Sequence, residues 1–143
     1  MQNNSHFLVD TSVWLFVLRK DFISKIKDRI DSLLKEDKIL TANIIKLEIL
    51  GGTKTDQEFH LLKVRLDSLD LIEMDNVLWE RACELAFRMR RKGLNIPYTD
   101  ILIASCAMRE GSPLIHADAH FDLMANHIGL KVESFVQAVR EEV

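Results

Sequence analysis

Four acidic residues stand in segments that otherwise read as protein interior. Asp10 ends the apolar run Phe7-Leu8-Val9, and Asp118 closely follows Leu114-Ile115. Glu48 lies within Ile44-Ile45-Lys46-Leu47-Glu48-Ile49-Leu50, where helical spacing places it on one face with Ile44 and Ile45. Asp100 precedes Ile101-Leu102-Ile103-Ala104-Ser105-Cys106-Ala107 and shares a face with Ile103, Ala104 and Ala107. A carboxylate buried alone costs several kcal/mol or takes up a proton, so each requires compensation. Backbone N–H groups at helix starts could serve Asp10, Asp100 and Asp118 one by one. Glu48 fits that account worst, because it is mid-helix and Lys46 points elsewhere. A shared explanation is one acidic pocket holding Mg²⁺ or Mn²⁺, hard cations that prefer oxygen ligands. Such ions would invert the sign of the pocket and could activate a bound water.

To bring these four together, the chain needs short strands that release them at one edge. Residues 7–9 read as a buried first strand, followed at once by helix, and Ile23, Ile26, Ile30, Leu33 and Leu34 mark an amphipathic helix. Residues 39–42 read as a second strand, with Asn43 capping a helix that runs to Gly51 and Gly52. Phe59, Leu62, Leu66 and Leu69 mark the next helix, 71–74 a third strand, and 77–92 a long helix stopped by Gly93. A helix over 99–110 closing at Gly111, a strand at 114–115, a helix over 118–127, a strand at Val132 and a terminal helix from Ser134 complete the series. Strands alternating with helices predict an α/β fold: a short parallel central sheet flanked by helices on both faces. Its ligands would bind beyond the carboxyl ends of the strands, where Asp10 and Asp118 fall.

Composition narrows the classes. With 143 residues, 48% of them apolar, the chain is the size of one domain spanning 1–143 with a core that needs no disulfide. Its longest unbroken apolar run, Val13 to Leu18, is far too short for a membrane span. Met1 to His6 carry no basic leader, and a cytoplasmic location is expected. Cys83 and Cys106 lie in helix-like apolar segments, which predicts buried structural thiols and no zinc site. Nineteen basic against 22 acidic residues give net −3, so any nucleic-acid contact must come from a local patch. Arg88, Arg91 and Lys92 share one face of the long helix, with Arg90 nearby, and are candidates for such a patch, although charges on that side would more simply solvate an outer face. Trp79 and Phe87 read as core rather than as base-stacking platforms. Part of the segment from Val13 to Leu18, apolar beyond one stripe, is expected to stay uncovered in a monomer.

The order Leu8-Val9-Asp10-Thr11-Ser12, a mid-helix Glu48, Tyr98-Thr99-Asp100-Ile101-Leu102-Ile103-Ala104 and Leu114-Ile115-His116-Ala117-Asp118-Ala119-His120-Phe121 resembles the PIN-domain ribonucleases, specifically the VapC-type toxins of toxin–antitoxin pairs. The resemblance covers essentially the whole chain. It implies that Asp10, Glu48, Asp100 and Asp118 are the acidic positions of a Mg²⁺- or Mn²⁺-dependent endoribonuclease acting on structured RNA. By the same resemblance, Thr11 or Ser12 is the small hydroxyl beside the first aspartate. It further implies an antitoxin in an apolar groove near residues 13–18, and a homodimer. One motif departs: members often carry Asp-x-Asp-Phe where this chain has Asp118-Ala119-His120-Phe121, with Asp122 one residue beyond. His120 is then either an outer donor at the site or a solvent-facing side chain.

Two other classes also place acids after strands. A receiver-like Mg²⁺-binding signalling domain requires paired acids near the first strand and a lysine near a late one, whereas Thr11-Ser12 follows Asp10 and no lysine follows Ile115 before Lys131. An aspartyl phosphatase requires Asp-x-Asp where this chain has Asp10-Thr11-Ser12. A PIN fold that has lost catalysis and only binds RNA or protein is the remaining alternative, and His120 is the feature that favours it.

Overall fold

The computed structural model describes residues 6–18 and 23–142; the polar start read in Met1 to Ser5 lies outside them. The elements run β1 (Phe7–Val9), α1 (Thr11–Leu18), α2 (Ser24–Lys35), β2 (Ile39–Ala42), α3 (Asn43–Gly51), α4 (Asp56–Asp67), β3 (Asp70–Ile72), α5 (Asn76–Arg91), α6 (Tyr98–Glu110), β4 (Leu114–His116), α7 (Ala119–Ala125), β5 (Val132–Ser134) and α8 (Val136–Glu141). All strand pairings are parallel, in the order β3-β2-β1-β4-β5. Leu8 and Val9 on β1 and Leu114, Ile115 and His116 on β4 are buried without exception. Because successive strand residues face opposite sides, both faces of the central sheet must be covered, as expected for α/β architecture.

The chain enters at the centre of the sheet, moves outward through β2 and β3, then crosses back to place β4 on the other side of β1. The direction of winding therefore reverses between β1 and β4. A crevice opens beyond the carboxyl ends of two such strands because their following connections diverge to opposite sides. Register Val9↔Ile115 and the Asp10 N–H donated to the Ile115 carbonyl at 2.9 Å hold Asp10 at this crevice.

Behind it, α6 is buried from Asp100 to Ala107, which explains why its sequence is apolar nearly all round. It packs against α5, whose inner stripe is Leu78, Ala82, Leu85 and Met89. The last turn of α6 ends at Gly111 with φ of +65°, a left-handed conformation that lets Ser112 N–H reach the Ala107 carbonyl at 3.1 Å.

Several boundaries differ from the sequence expectation. Asn43 is the first residue of α3, the cap is the extended Ala42, and no side chain caps that end. Strand β3 begins at Asp70 rather than 71 and stops at Ile72, because it is an edge strand paired only to β2. Asp118 caps α7 instead of belonging to it, and the terminal helix starts at Val136 after Ser134 has joined the sheet. Cys106 is buried and its thiol is pushed up to about 11 by desolvation, but Cys83 is exposed on the outer side of α5. Trp79 and Phe87 are also exposed, at 47% and 63%, contrary to the core assignment: helical periodicity alone does not tell which flank of α5 lies beyond the reach of α6. No helix among the described residues is long and apolar enough to cross a membrane.

Candidate metal centre

Each of the four acidic residues arrives on a different element. Asp10 follows β1, is 3% exposed, and its Oδ2 accepts both the Ser12 N–H at 3.0 Å and the Ser12 hydroxyl at 2.5 Å. The Ser12 oxygen in turn accepts the Ala117 N–H at 3.0 Å. One hydroxyl thus joins the turn after β1 to the turn after β4, fixing Asp10 relative to Asp118. The neighbouring Thr11 hydroxyl turns the other way and donates to Glu48 Oε1 at 2.7 Å. Asp100 sits in the first turn of α6 and is 8% exposed, and Asp118 Oδ1 accepts the His120 N–H at 2.9 Å.

The four carboxyls are near enough to act on one another's charge, and Asp100 and Asp118 bring oxygens within 4.8 Å of each other and of a His120 nitrogen. Burial pushes the Asp100 carboxyl up to about 7, with further upward pressure from Asp118, Asp10 and Glu48, opposed by His120. Burial also raises Asp10 to about 6 against the two Ser12 hydrogen bonds, with Glu48 and Asp118 adding repulsion. Among the described residues no lysine or arginine pairs with any of the four. Lys46 is engaged by Asp67 at 2.5 Å. Four carboxyls, two of them buried and none paired with a lysine or arginine, form a donor set of oxygens that fits a hard divalent cation. Glu48 corrects the sequence reading in one respect: it is exposed rather than facing the core, and its contact is with the Thr11 hydroxyl.

His120 also differs from a solvent-facing reading. Its Nδ1 lies 3.0 Å from Asp118 Oδ1 and 3.3 Å from Asp100 Oδ2, inside the pocket. Asp122 does not join it. Its Oδ2 accepts the Ser134 hydroxyl at 2.8 Å, and its Oδ1 is 3.1 Å from His116 Nε2. His116 is the participant that sequence reasoning missed. It is fully buried, and its Nδ1 accepts the Asp118 N–H at 3.2 Å. Nδ1 is therefore the unprotonated nitrogen, and Nε2–H donates to Asp122. Burial lowers the His116 pKa, so this contact is a hydrogen bond of a neutral ring rather than an ion pair. The available signal was a histidine two residues before Asp118 at the end of an apolar strand.

Arg88, Arg91 and Lys92 are exposed at the C-terminal end of α5, with the Arg91 guanidinium 5.7 Å from the Phe87 ring centroid. None of them is among the main charges acting on Asp10 or Asp100, so the structure does not bring them into the carboxylate pocket.

The PIN-domain family model matches residues 7–126. The chain belongs to the PIN-domain family. It is 32% identical over 133 residues to ribonuclease VapC11 of Mycobacterium tuberculosis, covering 90% of this chain and 98% of that protein. Among solved structures, VapBC2 from Rickettsia felis bound to a promoter DNA fragment superposes with a TM-score of 0.75 at 23% identity, covering 90% of this chain and 97% of that one. DNA-bound VapBC from Salmonella typhimurium gives 0.76 at 18% identity, covering 91% and 98%. These similarities establish the PIN fold.

Proposed function

We propose that this PIN domain is a divalent-metal-dependent endoribonuclease, the toxin of a toxin–antitoxin pair, which cleaves structured RNA. The observation that carries the reading is that the carboxylate oxygens of Asp100 and Asp118 lie within 4.8 Å of each other beside the buried Asp10, with no lysine or arginine paired to them among the described residues. Relatives named as VapC ribonucleases, matched over 98% of their own length, support it. Asp10, Asp100 and Asp118 would hold Mg²⁺ or Mn²⁺, with Glu48 a ligand through water or an orienter of the attacking water. When bound, such an ion supplies positive charge for the phosphodiester and lowers the pKa of a water. Ser12 keeps Asp10 ionisable by hydrogen-bonding its charged form. Thr11 holds one oxygen of Glu48, leaving the other to accept from water.

Incubation with a structured RNA tests this reading. Cleavage is expected with Mg²⁺ or Mn²⁺, disappears with EDTA and returns with excess metal. RNA binding without cleavage under either metal would instead make the chain a binding module.

The RNA backbone would lie along Arg88, Arg91 and Lys92. Replacing Arg91 by Glu is expected to weaken RNA binding and to reduce the slope of log affinity against log salt by about 0.7 to 0.9, the value for one lost phosphate contact. A titration series with an unchanged slope removes Arg91 from the interface. An antitoxin segment would occupy the groove of about 870 Å³ lined by Leu15, Val17, Leu18, Leu34, Leu61 and Leu62. A second copy of the chain would use the exposed aromatic face of Trp79, Phe87 and Tyr98.

A further inference from the structure

We propose that His120 Nδ1 is a direct ligand of the divalent ion, completing a mixed nitrogen–oxygen site with Asp100 Oδ2 and Asp118 Oδ1 and biasing the centre toward Mn²⁺ over Mg²⁺. The proposal rests on the preceding reading that a metal binds here, and concerns which atoms hold it. The side-chain donor atoms of Asp100, Asp118 and His120 lie within 4.8 Å of one another. His120 Nδ1 is screened from solvent although the residue as a whole is not buried. It approaches two carboxylate oxygens, at 3.0 and 3.3 Å, yet neither is aligned with it as a hydrogen-bond partner. A buried nitrogen aimed into a group of anions without an aligned partner has the geometry of a donor that shares a cation with them.

The neighbouring acid offers no substitute. Asp122 lies two residues further along, but both its oxygens are engaged by His116 and Ser134 on the far side of α7. The cap and first turn of α7 therefore supply the pocket with Asp118 and an imidazole, not with a second carboxylate. Imidazole suits first-row transition ions, whereas Mg²⁺ takes oxygen almost exclusively and dehydrates reluctantly. Replacing an oxygen donor by nitrogen thus changes which ion the same pocket prefers.

The test uses the full chain loaded with Mn²⁺ and examined by pulsed electron paramagnetic resonance, which detects nitrogen bonded directly to the ion. Strong ¹⁴N coupling is expected in the parent protein and is lost in both His120→Asp and His120→Asn. In parallel, Mn²⁺ affinity and its competition by Mg²⁺ are measured. The ratio of Mn²⁺ to Mg²⁺ affinity is expected to fall by at least about tenfold in His120→Asp, which restores an oxygen donor. Mn²⁺ bound to the parent without ¹⁴N coupling overturns the proposal whatever the variants do, and so does coupling that persists in both variants. If EDTA-sensitive RNA cleavage accompanies either of those results, the endoribonuclease reading survives and only the ligand assignment fails. If the parent binds no Mn²⁺ at all, both fail together.

Discussion

Asp100→Asn should lower RNA cleavage by about 100- to 1000-fold while leaving the fold intact. The substitution is nearly isosteric, so α6 keeps its packing, but it removes the charge that an oxygen-seeking cation requires. Metal contributions to transition-state stabilisation are several kcal/mol, and each ~1.4 kcal/mol is a factor of ten in rate. Asp10→Asn should behave similarly, with an added local effect because Asp10 Oδ2 accepts both Ser12 bonds. Single-turnover cleavage assays at saturating Mg²⁺ and Mn²⁺ provide the measurement, with circular dichroism to show retained structure. Cleavage by Asp100→Asn at the parent rate would remove the carboxylate pocket from the chemistry.

The second large effect is on stability. In EDTA, the advantage of Asp100→Asn over the parent should widen as pH rises from about 4 to about 8, reaching several kcal/mol at one pKa unit per ~1.4 kcal/mol. Asp10 at about 6 and Asp100 at about 7 both lie above their ordinary value of 3.8. Between those limits the native state holds more protons than the unfolded chain. The stability contributed by the neutral carboxyls is therefore complete below about 3.8 and is lost as pH passes through the folded values. His116 acts in the opposite sense: its lowered pKa favours the fold as pH rises toward 6.5. Comparison with Asp100→Asn cancels that contribution. Asp67 and Asp75 have lowered values and titrate below this window. Urea midpoints at several pH values read the difference, and a gap that stays constant contradicts the electrostatic account. Adding Mn²⁺ should stabilise the parent and shrink the gap, because an ion that binds only the native state shifts unfolding by mass action.

Both effects arise from the same arrangement. The turns after β1 and β4 place carboxylates opposite each other, and Ser12 locks the turns together by donating to Asp10 and accepting from Ala117. The site is therefore assembled at a cost in the metal-free protein, as Asp10 and Asp100 are held close to other anions in a desolvated crevice. His116 supports the second turn from beneath. Its neutral ring accepts the Asp118 N–H on one side and reaches Asp122 on the other, tying α7 to the end of β5 through Ser134.

Much of this was legible in one dimension because burial leaves a local mark. Asp10 and Asp100 stand out against Leu8-Val9 and Ile101-Leu102-Ile103, and a short apolar run ending in an acid already implies a strand that delivers a carboxylate to an edge. The alternation of such runs with amphipathic segments implies the parallel sheet, and the order of the four motifs carries the resemblance to PIN domains. Other features are set by partners distant in the chain. Thr11 and Ser12 are adjacent hydroxyls with no local difference, yet Thr11 meets Glu48 while Ser12 meets Asp10 and Ala117. Asp122 and His120 are two residues apart, yet one faces His116 and Ser134 and the other enters the pocket, because successive positions on a helix point about 100° apart. Trp79 and Phe87 share α5 with core residues, but α6 covers only one flank of it. The amino-acid order determined which residues are apolar, where the strands end and which acids need compensation. Only the folded chain decided which of these side chains face one another, because hydrogen bonds and Coulomb interactions depend on separations of a few ångströms between segments up to 105 residues apart.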